Sequence, residues 1–171
     1  MIQHSEGADM FDPTTLTGLH TWISLIAIVL GIPVTLALMR GERAGAGITA
    51  AFLALAFLTS ATGFLFPFSG VKPSHVVGAI ALVVVLGAAY ALYGAGRVGV
   101  WRPVYAAAAV ASLYFLVFVA VAQAFAKVPA LAALAPTQSE PPFAIAQGVV
   151  LLAFVIVGTL AARARPASVP A

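Results

Sequence analysis

His20 and His75 are the residues in this sequence best suited to chemistry. Each lies near the start of a long apolar block. Read as helices, the two blocks run in the same direction, so both imidazoles should sit at similar depth. The polar residues around them are small and recur at helical spacing. Thr17, His20, Ser24 and Gly31 share one stripe, and Ser74, Gly78 and Ala81 share another beside His75. Thr59, Ser60 and Thr62 close the second apolar block, Gln123 closes the fourth, and Gln147 falls in the first turns of the fifth. These positions predict a polar pocket at one end of a helix bundle, with Thr17, Ser24, Thr59, Ser60, Thr62, Gln123 and Gln147 around the histidines.

Such a pocket suits three kinds of chemistry. The plainest is hydrogen bonding between helices, since polar residues near span ends hold membrane helices together. The second is a bound cofactor or metal. Two histidines on parallel helices can be the axial ligands of a b-type haem, with Lys72 and Lys127 near its propionates. Another metal would need more ligands, for which His4, Asp9 and Asp12 are the nearest residues in the sequence. The third is a groove for a quinone or a lipid, which apolar walls with a few convergent polar groups would fit.

Other chemistries are disfavoured. The chain has no cysteine, which removes disulfides, thiolate metal sites, iron–sulfur clusters and cysteine nucleophiles. Its acids are Glu6, Asp9, Asp12, Glu42 and Glu140, and none falls inside an apolar block. Proton- and cation-coupled carriers usually place an ionisable group near the membrane midplane, so a pump or antiporter is not expected. There is no HExxH helix, paired carboxylate or Ser-His-Asp set, and the Gly-rich stretches 41–47 and 94–99 lack the ending of a phosphate-binding loop. No catalytic residue is assigned, and an enzyme is not the expectation.

The elements that position these residues follow from composition. Of 171 residues, 63% are hydrophobic and 8% are charged. A soluble domain carries about 25% charged residues, so this chain cannot cover a water-facing surface. Five apolar blocks at about 16–39, 48–66, 74–93, 103–126 and 143–162 are each close to the ~20 residues that cross a bilayer core. Backbone polar groups must pair within lipid, so the blocks should be helices. The expected fold is all-α, a polytopic five-helix transmembrane bundle over 16–162, with an N-terminal segment 1–15 and a tail 163–171.

The basic residues set the expected orientation. Arg40 and Arg43 follow the first block, Arg97 and Arg102 lie between the third and fourth, and Arg163 and Arg165 follow the fifth. The positive-inside rule puts these on the cytoplasmic side, the N-terminus outside and the C-terminus inside. The net charge of +3 therefore reflects membrane topology, and no nucleic-acid partner is expected. Membrane lipids, other membrane subunits or further copies of the chain are the expected partners. The acidic first twenty residues lack the basic start of a signal peptide. The longest connection, 127–142, holds an apolar stretch at 130–135 between Pro129 and Pro136, which suggests a short helix on the membrane surface. The first two blocks read as a pattern repeated in the next two, since His20 precedes Leu30-Gly31 much as His75 precedes Leu86-Gly87. Trp22, Trp101, Tyr93 and Tyr105 sit where interfacial anchors belong.

Segments 59–68 (TSATGFLFPF), 72–78 (KPSHVVG) and 123–143 resemble a group of small bacterial inner-membrane proteins that carry no assigned activity. The resemblance runs from His20 to the fifth block and implies a multi-pass inner-membrane location. His20 and His75 also bear a faint similarity to cytochrome b561-like bundles, whose full motif this chain lacks. The expected function is an accessory or structural membrane subunit with a histidine-containing site facing the periplasm. The alternatives are a b-haem electron-transfer protein and a quinone- or lipid-binding protein. Reporter fusions after Arg43 and Arg97 should read cytoplasmic and a fusion near Ser139 periplasmic; the reverse pattern would overturn the orientation.

Overall fold

A computed structural model describes residues 11–66 and 73–165, Pro73 by its backbone alone. The described chain is helical: α1 Leu16–Met39; α2 Ala46–Thr62, extended by a 3-10 turn Gly63–Leu65; α3 Pro73–Ala89, extended by a π turn Tyr90–Gly94; α4 Trp101–Lys127; the short α5 Pro129–Leu134; and α6 Pro141–Arg163. Five helical runs are long and apolar enough to cross a membrane, each of 20 to 27 residues. They are compatible with an integral membrane protein.

The helix ends show why the chain turns where it does. At the start of α1 the Thr15 hydroxyl accepts the Gly18 N–H at 3.0 Å, and Gly18 is required there. A Cβ on Gly18 would lie 1.9 Å from the Asp12 carbonyl oxygen, so the preceding segment can fold down onto the helix only over a glycine. At the other end the Gly41 N–H donates to Leu38 O and the Glu42 N–H to Ala37 O, with Gly41 at φ 72. This is the paired closure that a left-handed glycine makes at a helix C-terminus. Prolines at the starts of α5 and α6 occupy positions that need no N–H donor.

Helices α1 to α4 form a ring in which each packs on the next and α4 closes on α1. Helix α6 lies outside the ring, against α4 and α1, and α5 folds back on α4. Helix α4 therefore touches all the others. The close-packed core fills one half of the ring: Val34 and Leu38 of α1, Phe52 and Leu53 of α2, Val85 and Ala88 of α3, and Tyr105, Ala109 and Val110 of α4. This is the half next to Arg43, Arg97 and Arg102, called here the arginine end. The other half, the histidine end, holds the polar stripes.

Large apolar side chains face outward. Val29, Val83, Ile145, Val149 and Leu152 are all exposed, while the buried positions of α1 are mostly small: Gly18, Ala27, Gly31 and Ala37 beside Val34 and Leu38. An exterior richer in bulky hydrocarbon than the interior suits lipid as solvent, with small residues letting helices approach. Gly31 marks the tightest approach, because a Cβ there would lie 2.7 Å from Leu113 Cδ1 and 2.8 Å from Phe52 Cε2. Phe52 is fully buried and has little room to yield. Gly31→Ala should therefore cost about 1–3 kcal/mol by overpacking, read as a lower thermal midpoint in detergent. Gly148→Ala, where a Cβ meets nothing within 4 Å, should leave that midpoint unchanged or raise it.

Candidate functional site

Where the core ends, the four ring helices enclose a cavity of about 620 Å³. Its lining follows helical spacing on every wall. Helix α1 contributes Thr17, His20, Thr21, Ser24 and Ile28; α2 contributes Ala56, Thr59 and Ser60; α3 contributes Ser74, His75, Gly78, Ala81 and Val85; α4 contributes Ser112, Leu116, Gln123 and Lys127. Ser112, Leu116, Gln123 and Lys127 are one stripe of α4, three turns or more in length. The cavity has room because Ser24, Ala56, Ser60, Gly78, Ala81 and Ser112 on its walls are small. It stops at Ala56, Val85 and Leu116, which also belong to the core.

The rim is aromatic. Phe64 follows α2 and lies across Gly78, where a Cβ would approach its ring to 3.3 Å. The same ring stands 5.9 Å from that of His75, and Phe66 meets the His20 ring edge-on at 5.3 Å. From the other side the N-terminal segment brings Phe11 to the rim. Its carbonyl accepts the Trp22 indole N–H at 3.0 Å, and the two rings lie 6.2 Å apart. The bend in this segment is fixed by Asp12, which accepts both the hydroxyl and the N–H of Thr14. Those bonds, the hydroxyl first, hold the Asp12 carboxyl below its ordinary range.

The hydrogen bonds give the cavity a definite polarity. The Thr62 hydroxyl donates to Leu58 O at 2.7 Å, so its proton is committed within its own helix. His20 Nδ1 lies 2.9 Å from the same oxygen and is thereby assigned as the donor. A neutral imidazole protonated at Nδ1 carries its lone pair on Nε2. Four hydroxyls of the walls behave alike. Thr21 donates to Thr17 O, Ser24 to His20 O, Ser60 to Ala56 O and Ser112 to Ala108 O, each at 2.7 to 3.0 Å. Each keeps acceptor lone pairs and has no proton left to offer. The unambiguous donors, the Gln123 amide and the Lys127 ammonium, are exposed at the last two turns of α4. Around His20, Ser24, Ser60 and Ser112 the cavity therefore presents acceptors, and exposed donors stand at its mouth.

The positions singled out in the sequence are distributed as follows. Thr17, His20, Ser24, Thr59, Ser60, His75, Gln123 and Lys127 all line this one cavity. Thr62 stands behind His20 and orients it. Gln147 lies apart: it is buried between α6 and α4, and its amide donates to Phe118 O at 3.0 Å. Lys72, His4 and Asp9 fall outside the described residues. Among the described residues, no group of three or more His, Cys, Asp or Glu side chains converges as metal ligands would.

No family model, curated protein or solved structure matches this chain. The site must be read from its own chemistry. Sequence reasoning did not reach Phe11, Phe64, Phe66 or Ser112. Ser112 had a signal, since it is a lone serine in an apolar block at helical register with Gln123 and Lys127. The phenylalanines had none, because their role depends on how the turns outside the helices fold back. Thr62→Val should remove the acceptor that fixes His20. Nitrogen-15 NMR of labelled histidine should then show the Nδ1-protonated form giving way to the Nε2-protonated one, with a stability loss of about 1 kcal/mol.

Proposed function

We propose that this chain is a multi-pass integral membrane protein that binds an amphiphilic small molecule in the cavity of its histidine end. The molecule has an apolar body and a polar head that donates hydrogen bonds, a class that includes quinols and hydroxyl-bearing lipids. The observation that carries this reading is the sorting of hydrogen-bond roles. His20 Nε2 and the committed hydroxyls of Ser24, Ser60 and Ser112 offer only acceptors to a molecule placed between them. The rest of the wall is apolar, which suits a hydrocarbon body. Lys127 at the mouth can meet an anionic or carbonyl group at the other end of the head. By the positive-inside rule the mouth faces outward, toward the periplasm if the membrane is a bacterial inner one.

This reading is preferred to that of an accessory or structural subunit because the polar residues gather around an internal cavity. Residues serving only to join helices or subunits would be spent on partners across the contact, as Gln147 is on α4.

A b-type haem is the second reading, favoured by one observation. His20 is held through Nδ1 with Nε2 left available, which is how a second partner fixes a metal-bound imidazole. His75 lines the same cavity and Lys127 stands at its mouth. Bound there, a haem would supply one-electron chemistry; His20 and His75 would hold its iron and Lys127 would face a propionate.

One preparation separates the two. Protein purified from its native membranes in mild detergent should carry about one extractable quinol or hydroxylated lipid per chain. Ala120→Phe, which fills the cavity from α4, should release it while the helical circular dichroism persists. A Soret band that is lost in His20→Ala would instead establish the haem. Colourless protein whose organic extract is the same with and without Ala120→Phe would overturn both readings.

A further inference from the structure

The arginine end contains a second set of groups that the cavity does not use. Helix α3 ends in the π turn, where the Ala95 N–H reaches back to Tyr90 O and the Arg97 N–H to Ala91 O, both at 2.9 Å. The connection to α4 then passes through left-handed conformations at Gly96, Arg97 and Gly99, with φ of 62, 60 and 56. Glycine accepts that region freely and arginine does not. Arg97 is held in it while its guanidinium lies 4.7 Å over the ring of Tyr105. Tyr105 is buried in the core and hydrogen-bonds to Thr49 of α2, so the platform under the guanidinium is rigid. The Nε of Arg97 is buried and has no hydrogen-bond partner among the described residues.

Two further cations bear on the same point. Arg43, from the connection between α1 and α2, and Arg102, from the first turn of α4, are close enough for their charges to act on Arg97. Arg102 also donates through Nη2 to the Ala164 carbonyl at the end of α6, which anchors it. Glu42 is the one described carboxylate at this end, and it makes no ion pair with a described arginine. The positive-inside rule accounts for arginines on this side of the bundle. It does not account for three of them converging from separate segments, one fixed on an aromatic platform in a conformation that its residue type disfavours. Converging like charges repel unless an anion lies between them. Planar guanidinium groups favour an oxyanion that can take several N–H bonds at once, a phosphate above all.

The surroundings indicate where that phosphate comes from. Val98 and Val100, each 72% exposed, follow Arg97 in the same connection, and Tyr90 and Trp101 at its two ends stack edge-on at 5.1 Å. A soluble phosphate compound gains nothing from exposed valines. A lipid does, because its acyl chains descend along apolar residues while its headgroup stays with the charges. We propose that Arg43, Arg97 and Arg102 form a binding site for the phosphate headgroup of an anionic phospholipid. The lipid source rests on the chain's residence in a membrane; the phosphate chemistry does not, and neither depends on the occupant of the histidine-end cavity.

Phosphatidylglycerol and phosphatidylcholine, added separately to delipidated full-length protein in detergent, provide the test by native mass spectrometry. Phosphatidylglycerol should be retained in preference, and Arg43→Gln or Arg97→Gln should each weaken retention about fivefold. Arg163→Gln, outside the cluster, should leave it unchanged. Arg43 is exposed, so its variant reports on binding even if Arg97→Gln fails to fold. Glycerol phosphate, which has the headgroup chemistry without acyl chains, should compete only weakly. Competition as strong as that of the lipid would overturn the lipid source and leave a soluble phosphate site. Equal retention of the two phospholipids, or no loss in Arg43→Gln, would overturn the site itself.

Discussion

Close approach of helix backbones is the constraint on which the rest of this molecule depends. In hydrocarbon there is no gain from burying one apolar side chain against another in preference to lipid, so helices associate through contact and through hydrogen bonds that lipid cannot replace. Gly31 allows α1 to lie against both Phe52 of α2 and Leu113 of α4. Ala88, Ala91, Ala106 and Ala109 do the same where α3 meets α4. These contacts clamp the ring at the arginine end. Beyond them small residues recur on the facing walls, and the large rings of Phe64 and Phe66 stand at the rim. A gap remains, and the polar stripes line it. Clamp and cavity thus arise from one property, the scarcity of bulk on the inner faces.

The hydroxyl-bearing residues gain their character from the same setting. A serine or threonine in a helix facing water can donate to solvent. In an apolar interior its nearest acceptor is the carbonyl one turn back, and five of the hydroxyls near the histidine end take it. The side chain is then locked, and only its lone pairs remain available. His20 inherits the restriction through Thr62, whose oxygen is placed to accept from Nδ1. Part of a cavity that the composition describes merely as polar thus becomes a set of acceptors.

Much of the fold could be read from the sequence because block length and the lack of charge are local properties. A stretch such as Leu16–Met39 must be a helix wherever it sits in lipid, and its length follows from bilayer thickness. The convergence of His20, Ser24, Ser60 and His75 was also accessible, since helical spacing puts each on a face and the polar faces seek one another. Gln147 shows the limit of that logic. Its depth matches the cavity residues, but α6 lies outside the ring, and helix order around a bundle is not a local property. The aromatic rim depends on how the segments before α1 and after α2 fold back, and the stacking of Arg97 on Tyr105 on a turn whose path is set by left-handed residues. Gly41 and Gly96 announce such turns; Arg97 does not.

The placement of the two tryptophans has a practical consequence. Trp22 hangs beside the entrance segment through its bond to the Phe11 carbonyl, and Trp101 stacks on Tyr90 next to the arginine cluster. The sequence contains no others. The molecule therefore carries one tryptophan at each end, each coupled to different surroundings. Replacing either one leaves a protein whose tryptophan emission monitors a single end, so events at the two extremities can be followed separately without any attached dye.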